Sequence, residues 1–179
     1  MNPSRSFVAV FLNLVAAAYA SAAWAGPILF PEKEPVVTFT VPTGWKTNIV
    51  EDGTFTTTPD AGDEFAVAFT NMPYITDDGH AERTLPLFAK GMGEAAGIAD
   101  PKPSAVKEIK LGSREPMTAL ICEVRGSSSS LGENTSVTTY IVKNTAGKYV
   151  GIAVIADAKS QSKYDVPTLV MLNSLATVR

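Results

Sequence analysis

Apolar and polar side chains alternate along residues 36–41, a period of two that is typical of a strand with one buried face. A turn follows directly, because Pro42 cannot donate a backbone hydrogen bond and Gly44 allows the chain to reverse. Trp45 comes next and carries a large apolar ring. The pattern predicts a strand that begins the core, with the turn and Trp45 as a structural marker that closes one end of the sheet.

The same period of two recurs along much of the chain and predicts a largely antiparallel sheet. Turn signals such as Asp52-Gly53 and the run at 144–147 favour hairpins between neighbouring strands. Two segments are predicted to be irregular, the proline-rich lead-in at 26–35 and the serine-rich stretch at 125–134. The last predicted strand is apolar on both faces, so we expect both faces of the sheet to be covered. After the first strand, the predicted strands lie at residues 46–50, 54–58, 65–69, 105–111, 117–124, 137–143 and 149–156.

A helical period replaces the strand pattern in two places. An apolar stripe from Leu85 to Ala96 predicts one helix, with Pro86 in its first turn and Thr84 as its N-cap. A second helix is predicted near the end of the chain, with Asp165 as its cap and Pro167 in its first turn. Together these elements predict an α+β fold in which six to eight largely antiparallel strands are flanked by helices.

Residues 1–25 differ from the rest of the chain. Arg5 precedes an uncharged apolar run, and the run ends at the small-x-small triplet Ala23-Trp24-Ala25. This order is typical of a secretory signal peptide that is cleaved near Ala25. A membrane anchor would need about 20 consecutive apolar residues, and Asn13 interrupts the run. We therefore expect a periplasmic or secreted protein whose mature part, residues 26–179, is a single domain without a transmembrane segment.

Charge and cysteine content exclude further classes of protein. The formal net charge of the full chain is −3, and it becomes −4 without Arg5. No basic cluster is dense enough to follow a phosphate backbone, so nucleic acid is not an expected partner. Cys122 is the single cysteine and lies in an apolar strand. We interpret it as a buried thiol and not as a nucleophile.

Two stretches carry a resemblance to a known group of proteins. They are the turn Val41-Pro42-x-Gly44-Trp45 and the closing segment from Tyr149 to Thr177. With the order of elements between them, they resemble the Mog1/PsbP-like fold family, including its bacterial exported members that carry an uncharacterised-domain label. Asn173-Ser174-Leu175 departs from the family's usual Ser-Phe ending. The resemblance implies an α/β/α sandwich and proteins that mostly bind and assemble, without carrying contact residues over to this chain.

One loop contains possible metal ligands. Asp77, Asp78, His80 and Glu82 lie within six residues, and carboxylates with an imidazole are ligands for a divalent cation. The alternative is a polar loop whose aspartates cap the following helix and favour its positive end. No second histidine or cysteine pattern completes a ligand shell. We favour the alternative, and predict neither a metal nor a cofactor.

Catalytic motifs are weak in this sequence. A serine from residues 127–130 with His80 as base would suggest a hydrolase, but there is no Gly-x-Ser-x-Gly elbow. Asp63 and Glu64 would suggest a glycosidase, but adjacent side chains on a strand point to opposite faces. There is no phosphate loop and no dinucleotide fingerprint.

These observations predict a non-enzymatic, exported cell-envelope protein that binds a protein partner or a small ligand in an assembly or accessory role. One alternative is an envelope hydrolase with an unrecognised active site. Another is a metal-binding accessory protein centred on residues 77–82. Tyr74 and Ile75 are the apolar residues to consider first as contacts, although we expect both to be buried.

Overall fold

The computed structural model describes residues 26–50 and 52–178, and the predicted signal peptide lies outside this range. Within the described residues the chain forms ten strands and two helices. In order they are β1 (Ile28–Phe30), β2 (Val37–Phe39), β3 (Trp45–Ile49), β4 (Phe55–Pro59), β5 (Phe65–Asn71), α1 (Asp78–Ala95), β6 (Lys107–Leu111), β7 (Met117–Ser128), β8 (Gly132–Lys143), β9 (Tyr149–Ala156), α2 (Ala158–Asn173) and β10 (Ala176–Thr177).

Seven of these strands form one antiparallel sheet in the order β3-β4-β5-β9-β8-β7-β6. Strand β9 lies inside the sheet and sends apolar side chains to both faces, as its sequence predicted. Val150 and Ile152 join the cluster on one face, whereas Ala153 and Ile155 join the cluster on the other. Strand β9 thus contributes alternate side chains to two apolar clusters, one on each face of the sheet.

Each face of the sheet has its own cover. Helix α1 packs on β7 and β8 and inserts Leu85, Ala89 and Met92 into one cluster. Helix α2 covers the other face together with a second sheet, in which β2 pairs with β1 and β10. Phe39 of β2 stacks on Phe69 of the main sheet, with ring centroids 4.0 Å apart. The fold is therefore an α+β sandwich with covers on both faces of the main sheet, as predicted.

The stretch at 36–41 contributes Val37 and Phe39 to the core, as expected, but its strand does not belong to the main sheet. Its strand β2 belongs to the small second sheet, where Thr38 pairs with Leu29 on one side and Ala176 on the other. Strand β1 lies within the lead-in that was predicted to be irregular. Strands of two or three residues, such as β10 and β1, are too short for an alternating pattern to be recognised.

The turn after β2 leads into the first strand of the main sheet. The N–H of Trp45 donates to the carbonyl of Pro42 at 3.2 Å, and Gly44 has a φ of 81°. A positive φ at the third position of a turn is the conformation that glycine adopts without strain. Trp45 is therefore the first residue of β3.

Both helices begin earlier than predicted. Asp77, and not Thr84, is the N-cap of α1, and Asp157, and not Asp165, is the N-cap of α2. The two prolines that marked the predicted starts consequently lie inside the helices. The cause is tertiary packing, which holds the residues ahead of each proline against the sheet. Neither described helix is long and apolar enough to cross a membrane.

The serine-rich stretch at 125–134 is mostly strand and was wrongly predicted to be a loop. β7 continues to Ser128 and β8 begins at Gly132, with a shift in register between Gly126 and Ser128. The hairpin turn is therefore only three residues long. Hydroxyl groups and glycines lower the apolar content of these strand ends, so the period of two is hidden there.

Candidate binding surface

Helix α2 presents apolar side chains to solvent. Val166, Leu169 and Val170 are 71%, 55% and 63% exposed. Their spacing of three and four residues places them on one face of the helix. A surface helix normally carries polar residues on its outer side, yet residues 166–178 contain no charged side chain. We call these three residues the α2 patch.

The position of α2 is fixed at both ends. At its start, the N–H of the N-cap residue Asp157 donates to the carbonyl of Glu64 at 3.3 Å. At its end, the hydroxyl of Ser174 accepts from the N–H of Thr40 at 2.8 Å and donates to the carbonyl of Met171 at 2.6 Å. The α2 patch is thus held on a helix anchored to the core. The buried side of the helix is made of Ser160, Tyr164, Thr168, Met171 and Leu172.

A polar trio beside the patch joins α2 to the main sheet. Lys163 Nζ lies 2.5 Å from Asp63 Oδ2, and the hydroxyl of Tyr164 donates to the same oxygen. The hydrogen bonds from Lys163 and then Tyr164 lower the pKa of Asp63, and the bond to Asp63 raises the pKa of Lys163. Tyr164 also packs edge-on against Trp45, with centroids 5.7 Å apart. The predicted marker Trp45 therefore adjoins the helix that carries the patch.

Charge is unevenly distributed along the exposed side of α2. Lys159 and Lys163 lie in its first two turns, and Asp165 is the last charged residue before the helix ends. Lys163 is paired with Asp63, and the exposed Asp165 directly precedes the patch, so its N-terminal border carries both signs of charge. An apolar surface with a rim of mixed charge would complement this arrangement, because opposite charges at the rim of an interface favour association.

A second polar trio lies at the start of α1 and uses one of the proposed metal ligands. Lys143 Nζ contacts both carboxylate oxygens of Asp78 at 2.9 and 3.0 Å, and the hydroxyl of Tyr149 donates to the carboxylate at 2.8 Å. These hydrogen bonds, first from Lys143 and then from Tyr149, lower the pKa of Asp78. The carboxylate therefore joins α1 to the β8–β9 hairpin.

The other proposed ligands do not converge with Asp78. Asp77 accepts the N–H of His80 at 2.7 Å as the helix cap, and this bond lowers its pKa. The ring of His80 packs near Tyr74, with centroids 6.3 Å apart, and Glu82 is exposed. Among the described residues there is no group of three or more side chains that could hold a metal ion.

The serines and the histidine of the hydrolase hypothesis are not brought together. The hydroxyls of Ser128 and Ser130 donate to the carbonyl of Ala96, at 2.5 and 3.2 Å, and so close the C-terminal end of α1. His80 lies at the other end of that helix. Ala96 is sixteen positions after His80 along the helix, a rise of about 24 Å at 1.5 Å per residue. The serine hydroxyls therefore have a structural role at the helix end.

The remaining candidates take separate positions. Ile75 is buried as expected, but Tyr74 is 55% exposed and that expectation of burial was wrong. Cys122 is buried, and its thiol donates to the carbonyl of Ser104 at 3.3 Å. Glu64 is exposed, while Asp63 belongs to the trio with Lys163 and Tyr164.

Sequence reasoning missed the α2 patch. It predicted the C-terminal helix and left the outward residues of that helix unexamined. A usable signal was present, because thirteen consecutive residues at 166–178 lack charge. Most solvent-facing helix surfaces carry charged residues, so such a run indicates a surface that is not simply solvated.

The architecture matches solved structures of one fold. No family model matches the sequence, and no curated protein matches it. The structural comparisons show that the chain has the Mog1/PsbP-like fold, as its sequence predicted.

Three solved structures illustrate this similarity. Cyanobacterial PsbP (CyanoP) from Synechocystis has a TM-score of 0.54 and 14% identity, and the match covers 89% of this chain and 99% of that one. The Ran-binding protein Mog1p from Saccharomyces cerevisiae has a TM-score of 0.52 and 12% identity, covering 86% and 96%. LpqN from Mycobacterium tuberculosis, which is involved in cell envelope biogenesis, has a TM-score of 0.55 and 12% identity, covering 86% and 90%.

Proposed function

We propose that this chain is a non-enzymatic, exported cell-envelope protein that binds a protein partner through the α2 patch, in an assembly or accessory role. The observation that carries the proposal is the exposure of Val166, Leu169 and Val170 on a helix anchored at both ends. Contiguous exposed apolar side chains on a soluble domain mark an interaction surface more often than single ones do. The signal-peptide pattern at residues 1–25 supports export.

Proteins of the same fold support an accessory role. Mog1p is a Ran-binding protein, and LpqN is involved in cell envelope biogenesis. Because one fold can serve many functions, this support is secondary to the patch itself.

The shape of the patch favours a protein over a small ligand. Small molecules bind in concave pockets that bury most of their surface, whereas the outer side of a helix is convex. The expected partner presents an apolar groove with a polar rim. The groove would receive the α2 patch, and a carboxylate on the rim would face Lys159.

Site-specific photo-crosslinking in the producing cell tests the proposal. A photoreactive residue at Leu169 should give a defined covalent adduct with one envelope protein. The same residue at Leu87, which is 71% exposed on α1, is the matched control and should give none. Val170→Asp should abolish the adduct from position 169 without unfolding the protein. Adducts of equal yield from both positions would contradict the proposal.

Export is tested separately. N-terminal sequencing of protein recovered from the envelope fraction should begin at or near Gly26. Recovery of a cytoplasmic protein that retains residues 1–25 would contradict the exported role, whatever the crosslinking shows.

A further inference from the structure

Strand β3 is one edge of the main sheet and pairs antiparallel with β4. Every second residue of β3 directs its backbone N–H and C=O groups toward β4. The carbonyl of Lys46 accepts the hydroxyl of Thr57 at 2.9 Å, and the carbonyl of Asn48 accepts the hydroxyl of Thr56 at 3.3 Å. These two carbonyl groups therefore face β4. Val50 continues the pattern, because its N–H donates to the carbonyl of Thr54 across the hairpin.

The intervening residues direct their backbone outward. Successive residues of a strand point their N–H and C=O groups to opposite sides. The N–H and C=O groups of Thr47 and Ile49 consequently face away from β4, and so does the carbonyl of Trp45. The N–H of Trp45 is used in the turn to Pro42. The edge thus offers a row of hydrogen-bonding groups of both kinds.

The two edges of the main sheet differ in their protection. The opposite edge, β6, carries the exposed charged residues Lys107, Glu108 and Lys110, and charge on an edge strand opposes pairing with another chain. In β3 the one charged residue is Lys46, whose Nζ is held 2.6 Å from Asp60. The β3 edge ends in an isoleucine that is 56% exposed.

We propose that β3 pairs antiparallel with β3 of a second copy of this chain, about a two-fold axis at Thr47. The two Thr47 residues then exchange two hydrogen bonds. Each Ile49 N–H donates to the Trp45 carbonyl of the other copy, which adds two more. Residues 45, 47 and 49 share one side of the strand. The exposed Ile49 side chain therefore lies opposite the half-buried Trp45 of the other copy, an aliphatic–aromatic cross-strand pair.

Neighbouring registers are less favourable. An axis at Lys46 would place two lysines directly opposite each other, and like charges in that position are destabilising. An axis at Asn48 would leave Trp45 without a partner residue in the other strand. The axis at Thr47 uses all five residues of β3.

Because a pair of five-residue strands is smaller than a standard interface of about 1,200–2,000 Å², the dimer is expected to be weak and to dissociate on dilution.

Sedimentation of the purified protein from micromolar to near-millimolar concentration tests the proposal. The expected result is a reversible monomer–dimer equilibrium. Hydrogen exchange then identifies the surface. The amides of Thr47 and Ile49 should exchange more slowly as dimer accumulates, whereas the amides of Lys46 and Asn48 should be protected at every concentration. A monomer throughout the range would overturn the proposal.

Variants separate the β3 edge from other surfaces. Ile49→Lys and Thr47→Pro should each weaken association by at least about tenfold. Proline at position 47 removes an N–H that faces outward, so no bond to β4 is lost. Leu87→Lys is the control and should dimerise normally. A dimer that survives both β3 changes but is lost in Val170→Lys would overturn the proposal and place the contact on the α2 patch.

Discussion

The two helices differ in how they distribute apolar and polar side chains. Helix α1 buries apolar residues and exposes mainly charged ones, with the single exposed Leu87 among them, the usual arrangement for a helix that covers a sheet. Helix α2 buries three hydroxyl-bearing residues, Ser160, Tyr164 and Thr168, and exposes the α2 patch. The need to cover the core therefore explains the distribution of apolar and polar residues on α1, but it does not explain the distribution on α2. The buried residues of α1 include Ala81, Leu85, Ala89 and Met92, and its exposed charges include Glu82, Arg83, Lys90 and Glu94.

The helices are attached to the sheet in similar ways despite this difference. Each is joined by one carboxylate, one lysine and one tyrosine. At α1 the helix supplies the carboxylate, Asp78, and at α2 it supplies Lys163 and Tyr164. Both helices are therefore anchored by the same kind of trio. Of the two, only α2 also has an uncovered apolar side.

Truncation of a buried side chain should have the largest effect on stability, and the effect should be similar in both helices. Leu85 and Met171 are both fully buried. Leu85→Ala and Met171→Ala should each lower the free energy of unfolding by about 2–5 kcal/mol, because each leaves a cavity. Urea denaturation measures both. A loss below about 1 kcal/mol for Met171→Ala alone would show that α2 does not seal the core, and the comparison would fail.

The central fold could be predicted because its strands are long enough to show their period. Strand β9 revealed a sheet covered on both faces, and the Asp52-Gly53 pair located a hairpin. The helix starts could not be predicted from Pro86 and Pro167. A proline inside a helix removes one backbone hydrogen bond, and here tertiary contacts outweigh that local cost.

The candidate surface was less predictable than the fold. Whether Val166 faces the core or solvent depends on the rotation of α2 against the sheet. That rotation is fixed by distant contacts, such as the one between Tyr164 and Asp63, about a hundred residues apart in the chain. The Asp77 loop was predictable in part, since helix capping was the interpretation favoured from the sequence.

Removal of a buried hydroxyl from α2 should increase stability. Thr168 is buried, and its hydroxyl has no hydrogen-bond partner among the described residues. Thr168→Val keeps the shape of the side chain and removes the unpaired group, so it should raise the free energy of unfolding by about 1 kcal/mol.

Thr139→Val is the matched control for this change. Thr139 is also buried, but its hydroxyl donates to the carbonyl of Cys122 at 3.0 Å. Loss of that bond should lower stability by about 1 kcal/mol. If both variants changed the free energy of unfolding in the same direction, the hydroxyl of Thr168 would not be the unpaired, destabilising group described above.

The two anchoring trios should make stability depend on pH in the same way. The pKa values of Asp63 and Asp78 lie below the ordinary 3.8, so their stabilisation is complete above that pH and is lost as pH falls through the lowered values. The pKa values of Lys143 and Lys163 lie above 10.5. Their stabilisation is complete below 10.5 and is lost as pH rises through the raised values. Urea midpoints should therefore form a plateau that falls at both ends.

Variants assign the acid arm of that profile to the two trios. Asp63→Asn removes the carboxylate at α2, and Asp78→Asn removes the one at α1. Each should lower the plateau and make the decline at acid pH shallower. An acid arm that is unchanged in both variants would show that other carboxylates cause it.

Charge added to the exposed side of each helix should have the smallest effect on stability and the clearest difference in surface properties. Leu87→Glu and Val170→Glu alter side chains that are 71% and 63% exposed. Each should change the free energy of unfolding by no more than about 0.5 kcal/mol. A fluorescent dye that binds exposed apolar surface should lose more signal with Val170→Glu than with Leu87→Glu. The reason is that Leu87 stands among charged side chains, whereas Val170 has apolar neighbours. If Val170→Glu instead cost several times that amount, the outer side of α2 would be required by the fold itself, and the difference between the helices would no longer indicate a binding surface.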